Sequence, residues 1–121
     1  MSKILIVDDE VEICDFLKEF FIDRHYDVVT ASSGAEALRL VAKENPQVLL
    51  LDIKMPGVDG LQVLKEVKAR FPKLKVIMVT AVETADKIDE ALKLGADNYI
   101  TKPLSLEYLE RDVKEKILNL S

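Results

Sequence analysis

The sequence has no tryptophan, one cysteine and one histidine. Cys14, being alone, excludes an internal disulfide and offers no zinc-finger spacing. A reducing cytoplasm is the compartment this implies. His25 has no second histidine with which to share a metal, and it reads as a loop residue. An excess of basic residues is also missing. The net charge of −5 argues against a nucleic-acid surface on this chain. No apolar run approaches the length of a membrane span, and the N-terminal run from Ile4 meets Asp8 and Asp9 too soon to be a signal peptide. No membrane partner is therefore expected. There is no G-x-G-x-x-G fingerprint and no P-loop, and no linker, repeat or low-complexity segment. What is present is 49% hydrophobic and 32% charged residues in 121 positions, the composition of one globular domain over 1–121 with a real core.

The most informative stretch runs from Val48 to Gly57, VLLLDIKMPG. Its leading apolar residues read as a strand buried on both faces, as in a parallel sheet. The run stops on Asp52, and Met55-Pro56-Gly57 prevents the strand from continuing, since proline lacks an amide donor and glycine permits a turn. Asp52 should thus stand at the carboxyl end of a central strand, the edge of an open α/β sheet where ligands bind.

The rest of the chain repeats that unit. Ile4–Val7 reads as a strand, followed by a helix from Glu10 to about Arg24 with Ile13, Cys14, Leu17, Phe20 and Phe21 on one stripe. Cys14 is then a core residue rather than a reactive thiol. Asp27–Ala31 is a second strand. Ser33-Gly34-Ala35-Glu36 has capping-box spacing and opens a helix to about Glu44, which Asn45-Pro46 stops. A helix over 60–70 buries Leu64, Val67 and Phe71. Lys75–Thr80 is a fourth strand, and 84–94 a helix with Ile88, Ala91 and Leu92 inward and Gly95 just beyond its end. Asn98–Thr101 is a fifth strand, and Ser105 can cap a last helix carrying Leu106, Leu109, Val113, Ile117 and Leu120 on one face. Alternating strands and helices with short connections predict an α/β fold: five parallel strands with helices on both faces.

In such a sheet the residues closing the strands share one edge: Asp8 and Asp9, Asp52, Thr80 and Lys102. Carboxylates this close repel one another. Magnesium, a hard cation that accepts a few carboxylates and is commonly completed by phosphate oxygens, resolves the conflict. Lys102 offers a point charge to a phosphoryl group, and the Thr80 hydroxyl a hydrogen bond. Aspartate is an accepted nucleophile in acyl-phosphate chemistry, so Asp52 is the candidate nucleophile of a magnesium-assisted phosphoryl site. Such a transfer needs mainly positioning and charge neutralisation, and no histidine base.

This set resembles the response-regulator receiver domain of two-component signalling. The resemblance rests on Val7-Asp8-Asp9-Glu10, LLLDIKMPG around Asp52, Gly60, Val79-Thr80-Ala81, Tyr99 and Lys102-Pro103, in order along the whole chain. It implies a flavodoxin-like doubly wound sheet of order 2-1-3-4-5 and a cis peptide at Lys102-Pro103. It implies that Asp52 accepts a phosphoryl group from a phosphohistidine on a partner histidine kinase or histidine phosphotransfer protein. Asp9 and Asp52 would hold magnesium directly, Asp8 largely through water, and the Lys54 backbone carbonyl would be a further ligand. Thr80 and Lys102 would contact the phosphoryl group, and Tyr99 would be the switch aromatic that turns inward as Thr80 moves. The face formed by 84–120 would carry a downstream protein target or a second copy of the chain. The protein would then be no enzyme beyond its own phosphorylation and dephosphorylation.

Blander assignments compete at single positions. Asp8, Asp9 and Glu10 also suit the N-terminal dipole of a helix, Thr80 is an ordinary strand end, Lys102 a surface lysine, and a half-buried Tyr99 needs no function. Two other functions fit part of the set. One is a magnesium-dependent phosphatase acting through an aspartyl phosphate, which in the haloacid-dehalogenase-like enzymes carries a D-x-D motif that Asp8-Asp9-Glu10 does not match. The other is a binding module that is never phosphorylated.

Overall fold

Apolar runs without a polar alternate leave both faces of each strand in need of cover, and helices pack on both sides of one sheet to supply it. The computed structural model describes residues 3–55, 58–81 and 85–102, together with Glu107, Glu110 and Arg111. Strand β1 (Lys3–Val7) leads to α1 (Val11–Ile22), β2 (Asp27–Ala31), α2 (Gly34–Glu44) and β3 (Val48–Leu51). A short antiparallel pair, β4 (Lys54–Met55) and β5 (Val58–Asp59), precedes α3 (Gly60–Arg70). Then come β6 (Lys75–Ala81), α4 (Ala85–Lys93) and β7 (Asn98–Lys102).

The main sheet is parallel, in the order β2-β1-β3-β6-β7. Numbering only the strands of this sheet, that is 2-1-3-4-5, the doubly wound flavodoxin-like arrangement. Strand alternation divides the core in two. Leu5, Val7, Leu49, Leu51, Val76 and Met78 meet α2, α3 and α4 through Ala37, Val41, Leu64, Val67 and Ala91. Ile4, Ile6, Val48, Leu50, Ile77 and Val79 meet Cys14, Leu17, Phe20 and Phe21 of α1 on the other face.

Local chemistry sets the ends of the helices. The Ser33 hydroxyl accepts the Glu36 amide at 3.2 Å, while the Glu36 carboxylate accepts from the Ser32 amide at 3.0 Å, so the reciprocal arm of the capping box reaches one residue further back. Asp59 caps α3 by accepting the Leu61 amide at 2.9 Å. Gly95, at φ +109°, takes the left-handed position after α4, where a side chain would be strained. At the edge where β6 begins, Asp97 Oδ2 accepts from the Val76 amide at 2.9 Å and from Lys68 Nζ at 3.0 Å, tying α3 and the approach to β7 to β6.

Two expectations change. Leu92 is 41% exposed, and Ile88 and Ala91 alone of the three residues expected inward on α4 are buried. Met55, expected in a turn with Pro56 and Gly57, belongs instead to β4, which pairs with β5 in register Lys54 with Asp59 and Met55 with Val58, and Pro56-Gly57 lie outside the described residues. The expected cis peptide at Lys102-Pro103 and most of the expected last helix lie outside the described residues. Glu107, Glu110 and Arg111 are helical, and Glu110 pairs with Arg24 at 2.9 Å.

Candidate functional site

The register of the sheet brings three strand ends level. Val7, Leu51 and Met78 sit side by side on β1, β3 and β6, so Asp8 and Asp52 follow together at the carboxyl edge. Backbone bonds hold both acids in place: the Asp8 amide donates to Ala31 O at 3.2 Å and the Asp52 amide to Val7 O at 3.0 Å. On β7, Lys102 pairs with Ala81, and Thr101 with Thr80. Lys102 belongs to the strand itself, one residue beyond the expected end.

The Lys102 side chain reaches across this edge. Its Nζ lies 2.9 Å from Asp8 Oδ2, 3.1 Å from Glu10 Oε1 and 3.3 Å from Asp52 Oδ2. Burial alone would lower its pKa, but the carboxylates of Asp8, Asp52 and Glu10 outweigh burial and hold the ammonium above its usual range. Lys102 is thus a fixed positive charge at any physiological pH. Asp8 and Asp52 are 2% and 5% exposed, and such carboxylates are rarely buried unless paired.

The oxygens of Asp8, Glu10 and Asp52 converge within 4.8 Å of one another. The Lys102 ammonium faces all of these carboxylates at once, at 2.9–3.3 Å. Asp8 Oδ1 accepts the Glu10 amide at 2.9 Å, whereas the buried Asp8 Oδ2 has no directed hydrogen bond among the described residues. Its charge partner is the Lys102 ammonium, 2.9 Å away. A buried acceptor of this kind, among clustered oxygens, suits a hard cation such as magnesium.

The other expected residues are placed as follows. Asp9 is exposed and contributes no oxygen to the converging set, while Glu10, read from the sequence only as a helix-terminal acid, does. Spacing along the chain carries no signal for this, because the partner of Glu10, Lys102, stands 92 residues away. Lys54 opens β4, its backbone paired with Asp59. Thr80 is fully buried on β6. Tyr99, half-buried, lies opposite Met78 and packs on the α4 side of the core, and alternation puts it on the same sheet face as Thr80. Cys14 is also close by: its thiol donates to Asp8 O at 3.3 Å, and burial, with Asp8 beside it, pushes its pKa up to about 11. A hollow of about 180 Å³ adjoins Asp8, lined by Val11, Cys14, Thr30 and Ser32. A larger depression of about 520 Å³ lies at the opposite edge, among Val41, Pro46, Phe71 and Leu74, and holds none of this chemistry.

Comparison with known proteins agrees with this geometry. The response regulator receiver domain family matches residues 4–114. Sporulation initiation phosphotransferase F of Bacillus subtilis is 41% identical over 98% of this chain and 95% of its own. The response regulator TrrA of Thermotoga maritima, solved in complex with Mg(2+)-BeF, is 34% identical with a TM-score of 0.84, over 97% of this chain and all of that one. NtrX of Brucella abortus is 30% identical with a TM-score of 0.89 over 99% of this chain, but this chain spans only 28% of NtrX. The same unit therefore makes up nearly all of some proteins and a minor part of others.

Proposed function

The chain belongs to the response regulator receiver domains of two-component systems, and from that premise we propose that Asp52 is its phosphoacceptor and that Asp8, Glu10, Lys102 and Thr80 complete the phosphoryl site. The observation that carries the reading is the convergence of Asp8, Glu10 and Asp52 on the Lys102 ammonium at the carboxyl edge of the sheet.

A carboxylate oxygen of Asp52 attacks phosphorus of a phosphohistidine on a partner kinase or phosphotransfer protein. The P–O bond forms as the P–N bond breaks, and the imidazole leaves with the electron pair and takes a proton from solvent. Asp52, at the carboxyl edge beside Asp8, is held in place by the hydrogen bond that its backbone N–H donates to Val7 O. Lys102 supplies fixed positive charge to the transferring oxygens, and Thr80, two residues beyond Met78 on β6, donates its hydroxyl once the loop after β6 adjusts. Asp8 and Asp52 would hold magnesium, with the Lys54 carbonyl as a further oxygen donor. The bound ion supplies neutralisation of charge on the phosphoryl group.

The output is a shift of the face near Thr80, α4 and Tyr99 that changes the binding of a downstream protein or of a second copy. Inverting a 1:99 population takes about 5.5 kcal/mol, within reach of a few charge-assisted bonds to a phosphoryl group. The relative's name, a phosphotransferase, supports passing the group onward as well as holding it. The chain then catalyses only its own phosphorylation and dephosphorylation, and works in the cytoplasm, which suits its buried thiol. Incubation with magnesium and acetyl phosphate tests the reading by intact mass. The wild type should gain a phosphoryl group that EDTA abolishes and Asp52→Ala never acquires. Equal labelling of Asp52→Ala would contradict it.

A further inference from the structure

The acids around Lys102 are not equivalent. Asp8 and Asp52 present side chains that are 2% and 6% exposed, whereas the Glu10 side chain is 59% exposed. The ammonium is shared among all of them at 2.9–3.3 Å. A divalent cation on Asp8 and Asp52 would take the oxygens that the ammonium now faces. Two cations on the same buried oxygens repel strongly, so Lys102 must withdraw as the metal enters. It cannot go far, because its backbone is paired into β7 and its side chain is 12% exposed. Glu10 is the one partner on the solvent side of the cluster, and its amide bond to Asp8 Oδ1 at 2.9 Å fixes it beside the path.

We propose that Glu10 is a positioning residue: it is the seat to which the Lys102 ammonium retires when a divalent cation takes Asp8 and Asp52, and it thereby sets how strongly the protein's own cation competes with the metal. This rests on the reading of the site under Proposed function. With Glu10 present, Lys102 exchanges a shared contact for one outer ion pair. Without Glu10, Lys102 either stays on the buried acids or loses every carboxylate partner in the cluster. Both make metal entry less favourable. The size should be that of a rim ion pair, about two- to fivefold in affinity.

The test is calorimetric titration of the full chain with magnesium chloride, in a double-mutant cycle. Glu10→Gln should weaken magnesium binding about two- to fivefold in the wild-type background and have no effect in Lys102→Met, where no ammonium needs a seat. An equal loss in both backgrounds, or no loss in either, overturns the proposal, because Glu10 would then act on the ion directly or not at all. Glu10→Asp gives a second test that needs no change at Lys102. It keeps the charge but shortens the reach, and it should behave like Glu10→Gln, whereas wild-type affinity would overturn the proposal. Absence of magnesium binding by the wild type would instead overturn the reading of the site, so the two failures are distinct. Melting temperatures of each variant confirm that the exposed substitution leaves the fold intact.

Discussion

The Asp52 carbonyl oxygen occupies the space where a side chain on Gly60 would begin. The first turn of α3 packs directly on the backbone that follows β3, and the Gly60 amide donates to Ile53 O at 2.7 Å. Any Cβ there would overlap Asp52 O and lie within 2.8 Å of Ile53 O. Gly60→Ala should therefore cost about 1–3 kcal/mol through overpacking against backbone. Urea denaturation measures this, and the variant should also accept phosphate more slowly, since Asp52 is displaced.

The Cys14 thiol should be unreactive in the folded protein. With its pKa pushed up to about 11, only about one thiol in a thousand is ionised at pH 8, and the residue is 8% exposed. Labelling with a thiol reagent should be slow without denaturant and rapid in urea. The unfolded thiol releases its proton at a lower pH than the folded one. Stability is therefore intact below the ordinary value of 9.0 and declines as the pH climbs toward about 11. Cys14→Ala should lack that decline.

Asp97 joins separate segments through one carboxylate oxygen. Asp97→Ala removes the acceptor of both the Val76 amide and Lys68 Nζ, which are 2.9 and 3.0 Å away. The loss should be about 2 kcal/mol, because a buried amide is left without its partner. Asp97→Asn keeps an acceptor for Val76 and loses only the ion pair, so it should cost less than about 1 kcal/mol. The difference between the two urea midpoints checks this.

Lys102→Met should destabilise the metal-free protein by about 3 kcal/mol, because the buried Asp8 and Asp52 lose the ammonium that lies 2.9 and 3.3 Å from them. Magnesium should restore much of that loss by binding only the folded state. Thermal melts with and without magnesium give the result directly. An unchanged melting temperature in EDTA would show that Lys102 does not compensate these acids.

Much of this arrangement was legible in the sequence, and the reason is physical. Runs such as Ile4–Val7 and Val48–Leu51 are apolar on consecutive positions, which only a sheet covered on both faces requires, and Asp8 and Asp52 interrupt them sharply. Parallel order then brings the interruptions to one edge. The β4–β5 pair was not legible, because two-residue strands carry no periodicity. On α4, Ile88 and Ala91 are buried as the pattern predicts, whereas Leu92, expected inward with them, is 41% exposed. Glu10 was harder still. It stands at the start of α1, where an acid favours the helix dipole, but its side chain makes no capping bond there and turns instead to Lys102, on the last strand of the sheet. Nothing local in the sequence records that contact.

The identity of the residue that carries the phosphoryl group tests the account most directly. Wild-type protein treated with acetyl phosphate and magnesium, then reduced with borohydride, converts an aspartyl phosphate to homoserine. Peptide mass mapping should find homoserine at position 52 alone, and none in the presence of EDTA. Homoserine at position 8 or 9, or no conversion in protein shown to bind magnesium, would contradict the assignment of Asp52 as the phosphoacceptor.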